Sequence, residues 1–331
     1  MADASPVTLD VLRIDAEGAV DQICETLREL VTQRLRKRGA VLGVSGGIDS
    51  SVAAALCARA LGPERVVAVL MPESESSDDT LELSRLLTSH LGVTEVLENI
   101  TPILDAAGCY RRRDEAIAEV VPEFGAGWKA KLVLPSVLEG NRLPIFSIVV
   151  ESPEGERRKE RLSASAYRAV VAATNFKQRT RKMLEYYHAD RLDYAVIGTP
   201  NRLEYDQGFF VKGGDGAADV KPLAHLYKTQ VYALAAHLGI PGEIRSRPPT
   251  TDTYSLPQSQ EEFYFSVPYD VLDLCMYALN NGIEAARLTE ATGLSEEDVT
   301  RVFRDIESKR RATAPLHLPP LLVEPVSEIG H

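Results

Sequence analysis

Ser45-Gly46-Gly47-Ile48-Asp49-Ser50-Ser51 follows the apolar run Ala40-Val41-Leu42-Gly43-Val44 and leads into the small-residue stretch Val52 to Leu61. Where a parallel strand gives way to a helix, unpaired N–H groups and the positive end of the helix dipole point at the sheet edge, which makes an anion site. Gly46 and Gly47 permit close backbone approach, Ser45, Ser50 and Ser51 add hydroxyl donors, and a metal held by Asp49 can neutralise phosphate oxygens. The chemistry indicated is phosphate binding. Glycine and serine also build strand-to-helix turns that hold no ligand, but the whole string behind a buried strand favours a site. It is not GxxxxGK[ST], so a kinase-type γ-phosphate loop is not implied.

A second group lies in "VIGTPNRLEYDQGFFVKGGDGAADVKPLAHLYKTQ", residues 196–230. A strand ends at Gly198-Thr199, Glu204 follows on a short polar segment, and Lys212, Asp215, Asp219 and Lys228 come next. "GFFVKGGDGAAD" is rich in glycine and aromatics, which suits backbone folded closely around a ligand.

The elements that must carry these residues alternate. "DAEGAVDQICETLRELVTQRLRKRG" places Val20, Ile23, Leu27, Leu30 and Val31 on one helical face. "AVLGVS" and "RVVAVLMP" read as buried strands on either side of the helix "SSVAAALCARAL", a β-α-β unit that implies a parallel sheet. "DTLELSRLLTSHLG" is the next helix, "VTEVLENI" a third strand, "NFKQRTRKMLEYYHAD" a helix and "DYAVIGT" a fourth strand. The expectation is an α/β fold, a doubly wound parallel sheet with ligands at the strand C-termini.

Residues 105–165 interrupt this alternation and read as an insertion within a single domain spanning 1–331. They hold a charged helical stretch, "YRRRDEAIAEVV", and then β-branched runs with the turn signals "EGN" and "SPEG", which predict hairpins. Either they present a solvated charged face or they cover the site. From about residue 268 the chain reads as mostly helical and ends in the Pro-rich tail "APLHLPPLLVEP".

With 331 residues, 44% of them apolar, the chain can bury a sizeable core. A net charge of −11 supplies no general field for nucleic acid or an anionic membrane. No run approaches the roughly 20 apolar residues of a membrane span. The four cysteines, Cys24, Cys57, Cys109 and Cys275, form no CxxC pair or metal-spaced cluster and read as reduced core residues of a cytoplasmic protein.

SGGxDS resembles the pyrophosphatase loop of N-type ATP pyrophosphatases, whose fold is adenine nucleotide alpha-hydrolase-like. These enzymes cleave ATP between the α and β phosphates and transfer AMP to an oxygen of the substrate. GT…E…GFF.K.GDG..D..PL..L.K.Q, with "RPPTTD" and "YDVLD", is similar to the NAD synthetase family within that group. The likeness begins at "LRIDAEGAVDQICETLRELV" and runs to "SKRRATAP", outside residues 105–165.

The resemblance implies ATP and Mg²⁺, with Asp49 and Glu204 as metal ligands. Gly43, Ser45, Gly46, Gly47, Asp49, Ser50, Ser51, Met71, Thr199, Lys228 and Thr250 would form the ATP site. Asp49, Lys228, Asp215 and Thr250 would be catalytic, with Asp215 receiving ammonia, and Asn175, Arg179, Lys212 and Asp219 would bind the acceptor. The reaction implied is adenylation of the deamido-NAD carboxylate and its amidation by ammonia.

The glutamine-dependent branch carries an amidase domain for which there is no room before residue 41, so the expected nitrogen source is ammonia, free or from a separate partner. Tyr264 stands where the pattern has an acid, and Ser308-Lys309-Arg310 replaces His-Lys-Arg. Alternatives therefore stay open: the same chemistry on another carboxylic acid, a non-catalytic nucleotide-binding protein, or a tRNA-modifying enzyme, the last disfavoured by the acidic balance. Family members are homodimers, and the helix "NFKQRTRKMLEYYHAD" reads as interface material. It sets a basic face of Lys177, Arg181 and Lys182 beside Met183, Leu184, Tyr186 and Tyr187.

Overall fold

Apolar runs at 40–44 and 66–70 have no polar face to turn to solvent, so they must lie inside a sheet covered on both sides. The computed structural model describes residues 7–133, 138, 146–249, 253–265 and 267–326, without the side chains of 78, 261 and 262. Thr250, the "EGN" signal and the Glu261 and Glu262 side chains lie outside the described residues.

In chain order, α1 (Ala16–Glu29) leads to β1 (Ala40–Gly43), α2 (Ile48–Leu61), β2 (Val66–Leu70), α3 (Asp78–Leu91) and β3 (Thr94–Leu97). Next come α4 (Thr101–Ala106), α5 (Cys109–Ala118), β4 (Lys129–Val133), β5 (Ser147–Glu151) and β6 (Arg157–Arg161). They are followed by α6 (Ala164–Leu192), β7 (Ala195–Val196), α7 (Arg202–Gln207), α8 (Lys228–His237) and α9 (Gly242–Ser246). The C-terminal helices are α10 (Tyr269–Asn280), α11 (Thr289–Thr292) and α12 (Glu296–Thr313).

The parallel sheet has the order β3-β2-β1-β7, with Ala40 opposite both Val66 and Ala195, and Val67 opposite Thr94. One face, Ala40, Leu42, Val66, Ala68, Leu70 and Ala195, packs in a core with α1, α2 and α8. The alternate residues Val41, Val67, Val69 and Val196 face α4 and α6 in a second core. The doubly wound expectation therefore holds. α2 is apolar nearly all round because it lies on the sheet and also packs on α1 and α8.

α6 begins at Ala164, earlier than the Asn175 start read from periodicity. Ser163 caps it, its hydroxyl accepting the Ala166 N–H at 3.0 Å. The added turns support the antiparallel sheet β4-β5-β6, which buries Ala130, Leu132, Ile148 and Val150 against Ile117 of α5 and Val170 of α6. β5 and β6 form the hairpin that "SPEG" announces, and the charged β6 side lies mostly in solvent.

Candidate active site

The SGGIDSS sequence folds as a turn from β1 into a helix whose N-cap is a glycine, so no side chain closes the first turn of α2. Gly46 takes φ +67°, and a Cβ there would stand 2.7 Å from Cβ of Leu83. Only glycine meets both demands. The Ser45 N–H donates to Ser50 Oγ at 3.3 Å, and the Ser50 and Ser51 hydroxyls donate to the Gly47 carbonyl at 3.1 and 2.8 Å. Ser51 is fully buried, so its hydroxyl shapes the turn from beneath.

Asp49 sits in that first turn of α2. The buried Asn201 Nδ2 donates to Asp49 Oδ1 at 3.1 Å and to Glu204 Oε2 at 3.0 Å, tying the two carboxylates together. Asn201 is also the N-cap of α7: its Oδ1 accepts the Leu203 and Glu204 N–H groups at 2.9 and 3.3 Å, and its own N–H donates to Glu204 Oε2 at 3.1 Å. That is a complete capping box. Burial, and then the Asp49 charge, push the Glu204 carboxyl up to about 8, against the pull of Lys228.

Lys228, the first residue of α8, is wholly buried and closes its ammonium on Asp49 Oδ2. Burial alone would lower its pKa, but the Asp49 and Glu204 charges outweigh that and raise it. The start of α8 is capped from α10: Asp273 accepts the Lys228 and Thr229 N–H groups at 3.2 and 2.7 Å.

Also lining the cavity, Asp215 accepts the Val211 N–H on Oδ1 at 2.7 Å, and its carboxyl is raised by burial. Lys182 and Glu185 form a buried pair at 2.6 Å. Gly43 makes room for it, since a Cβ there would lie 2.8 Å from Glu185 Oε1. Two glycines of "GFFVKGGDG" make room for internal packing: a Cβ on Gly216 would stand 2.3 Å from Phe210, and one on Gly214 2.9 Å from Gln178 Cβ.

The sequence of residues 19–121 and 144–313 matches the family model described as NAD synthase. The chain belongs to the NAD synthase family. It is 59% identical over 320 residues to the NH(3)-dependent NAD(+) synthetase of Rhizobium meliloti (strain 1021), covering 97% of this chain and 96% of that one. It is 57% identical to the NH(3)-dependent NAD(+) synthetase of Mesorhizobium japonicum, covering 96% and 100%. The NH3-dependent NAD synthetase structure from Campylobacter jejuni superposes with a TM-score of 0.62 over 94% of this chain and 100% of that one; at 23% identity, this likeness concerns the fold.

Of the residues expected for this family, the cavity brings together Gly43, Ser45, Gly47, Asp49 and Ser50 with Met71, Thr199, Glu204 and Asp215. Gly46 backs onto α3, while Ser51 and Lys228 lie beneath the wall. The four acceptor candidates lie outside the cavity wall. Arg179 Nε donates to the Lys212 carbonyl at 3.3 Å, and Lys212 Nζ to the Pro315 and Leu318 carbonyls at 3.1 and 3.3 Å. Asp219 Oδ2 accepts the Val196 N–H at 2.7 Å, and Asn175 is half-buried on α6.

Sequence reasoning missed Asn201, Gln260, Asp273 and Glu185. Asn201 had a signal, the capping spacing to Glu204; Gln260, whose Nε2 donates to Glu204 Oε1 at 3.1 Å, had none.

The donor set fits a hard divalent cation. Two carboxylates share one carboxamide nitrogen, and a buried glutamate beside a second carboxylate is a place where a cation can take the proton's role. Among the described residues no three His, Cys, Asp or Glu side chains form a metal-holding group, so Asp49 and Glu204 would leave positions for phosphate oxygens and water.

Proposed function

We propose that the protein is an ammonia-dependent NAD synthetase that amidates deamido-NAD to NAD and releases AMP and pyrophosphate. The observation that carries the reading is the meeting of Asp49, Glu204 and Lys228 at the open N-terminus of α2, in a chain of this family.

A carboxylate does not react with ammonia at neutral pH because its oxygen is a poor leaving group. It first attacks the α phosphorus of ATP, forming an acyl adenylate and releasing pyrophosphate. Ammonia then attacks the acyl carbon, loses a proton and expels AMP. Mg²⁺ held by Asp49 and Glu204 would neutralise phosphate oxygens. The α2 N-terminus and Ser45 would donate to the phosphates, and Lys228 would fix the Asp49 carboxylate while adding positive charge below it. Asp215, raised by burial and therefore a stronger base than an exposed aspartate, would take the ammonium proton.

Three further elements belong to the proposal. A homodimer is supported by Met183 and Tyr187, 54% and 57% exposed one turn apart on α6. A cytoplasmic site is supported by four cysteines that are all buried and unpaired. A single domain with an inserted segment is supported by the gap at 122–143 in the family match.

Incubation with ATP, Mg²⁺, ammonium and deamido-NAD should yield NAD, AMP and pyrophosphate in equal amounts. AMP release on another acid, with no NAD formed from deamido-NAD, would overturn the assignment.

A further inference from the structure

The sequence sets Lys177 in a basic face with Arg181 and Lys182 that reads as interface material, but the structure turns it inward, leaving 1% of the side chain exposed. Its ammonium donates to Glu73 Oε1 at 2.8 Å, to Glu75 Oε2 at 2.6 Å and to the Thr253 carbonyl at 2.9 Å. These three bonds use the full donor capacity of a lysine.

The three acceptors come from two separate segments of the chain, each of which contributes neighbouring residues to the cavity lining. Glu73 and Glu75 belong to the segment between β2 and α3, which presents Met71 and Pro72 to the cavity, and Thr80 in the first turn of α3 lines it just beyond. Thr253 belongs to the chain between Arg247 and Gln260, which presents Arg247, Pro249 and Gln260 to the same cavity.

The surrounding groups complete a closed network. Tyr110 Oη donates to Glu73 Oε2 at 2.6 Å, and Arg113 Nη1 donates to both Glu75 oxygens at 2.5 and 2.6 Å. Burial raises the proton affinity of Glu73, but the Lys177 charge and the bonds from Lys177 and Tyr110 bring its pKa below the ordinary value, so it is ionised at neutral pH. A buried ion cluster adds little stability over an apolar packing of the same volume. What it does impose is geometry, because each group has one arrangement in which it is paired.

We propose that Lys177 is a positioning residue that clasps these two segments of the nucleotide cavity, so that neither segment orders without the other. The consequence for nucleotide affinity rests on the reading that this cavity takes ATP. A second link, Arg247 Nη2 to the Ser77 and Thr80 hydroxyls at 2.8 and 3.2 Å, joins the second segment to the end of the first and the start of α3 but carries no buried charge pair.

The test uses Lys177→Met and the double variant Lys177→Met/Glu73→Gln in the full chain. In Lys177→Met, amide hydrogen exchange should rise about tenfold in both 72–77 and 253–260, and the Kd for a non-hydrolysable ATP analogue should rise by about the same factor. The double variant removes the carboxylate left unpaired, so its Tm should return close to wild type while both segments stay loose and the Kd stays high. Recovery of Kd and exchange together with Tm would make Lys177 a charge balance for the fold only and overturn the clasp. Loosening of one segment alone, or a wild-type Kd in Lys177→Met, would also overturn it. The exchange readout involves no nucleotide, so failure of the clasp is distinguishable from failure of the ATP reading.

Discussion

Lys228 and Asp49, 179 residues apart in the chain, meet as an ion pair between the first residue of α8, whose ammonium is buried, and the first turn of α2, whose carboxylate is partly so. The pair makes Asp49 a structural counterion as well as the expected metal ligand. Asp49→Asn strands the ammonium, a change that costs about 3–5 kcal/mol when a buried pair is broken. Glu204→Gln copies the protonated form that burial already favours at pH 7. Both variants should lose at least about a hundredfold in pyrophosphate release, an effect of the size seen when a preorganised electrostatic group is removed. Thermal melts should separate them: a clear fall in Tm for Asp49→Asn and little change for Glu204→Gln. An Asp49→Asn variant with wild-type Tm would contradict the counterion role.

Asn201 both caps α7 and joins the two carboxylates. Asn201→Ser keeps a capping oxygen but cannot span Asp49 and Glu204, whereas Asn201→Ala loses both functions. Ser should hold the melting temperature and lower kcat about tenfold; Ala should lower kcat alike and cost about 1 kcal/mol more in stability. Chemical denaturation alongside turnover assays checks the split.

Asp273 is buried, and its carboxyl is pushed up to about 6 by burial, with the Thr229 and Lys228 N–H bonds opposing. The unfolded chain releases this proton near 3.8, so between those values the folded protein binds more protons and loses stability as pH rises. The full effect is about 3 kcal/mol at 1.36 kcal/mol per unit. Asp273→Asn has no such proton to release, so its Tm relative to wild type should climb from pH 4 to pH 6.5 and then level off. A difference that stays flat across this window would show that Asp273 does not titrate there.

Burial pushes the Cys57 and Cys275 thiols up to about 12 and Cys109 up to about 11, and it also raises Cys24. Thiolate is the reactive form. At pH 8 a maleimide should label none of the four in the folded protein and all four in denaturant, as counted by mass spectrometry. Fast labelling of any one in the native state would locate a segment that opens.

Arg179 is exposed on α6 and holds the Lys212 carbonyl, away from the phosphate loop. Arg179→Ala should raise KM for deamido-NAD about tenfold with KM for ATP unchanged, and the protein should sediment as a dimer that Met183→Glu weakens. An Arg179 variant impaired only towards ATP would remove this helix from the acceptor side.

The doubly wound core was legible because its signals are local. Apolar runs without a polar face require a covered sheet, and SGGIDSS requires a tight turn into a helix; both are set by neighbours within a few residues. α6 was read short because its first turns rest on β4-β5-β6, and the support that extends a helix comes from what packs on it, not from its own periodicity. The glycines of 208–216 were read as yielding to a ligand, yet Gly214 and Gly216 yield to Gln178 and Phe210.

The sequence by itself determined the strand-turn-helix of SGGIDSS, the α/β class and the presence of the residue types that phosphate binding would need. Only the tertiary structure decided which of them meet. Lys177, Arg181 and Lys182 share a helical stretch, but Lys177 turns inward to Glu73 and Glu75 of a distant segment, while Lys182 pairs with Glu185 of its own helix in the interior. Asn201 became the hub of the site because the order β3-β2-β1-β7 sets the end of β7 beside the end of β1. Spacing along the chain fixes a side chain's position on its own element, whereas its partner is fixed by how the elements stack, and that depends on burying apolar faces across the whole molecule.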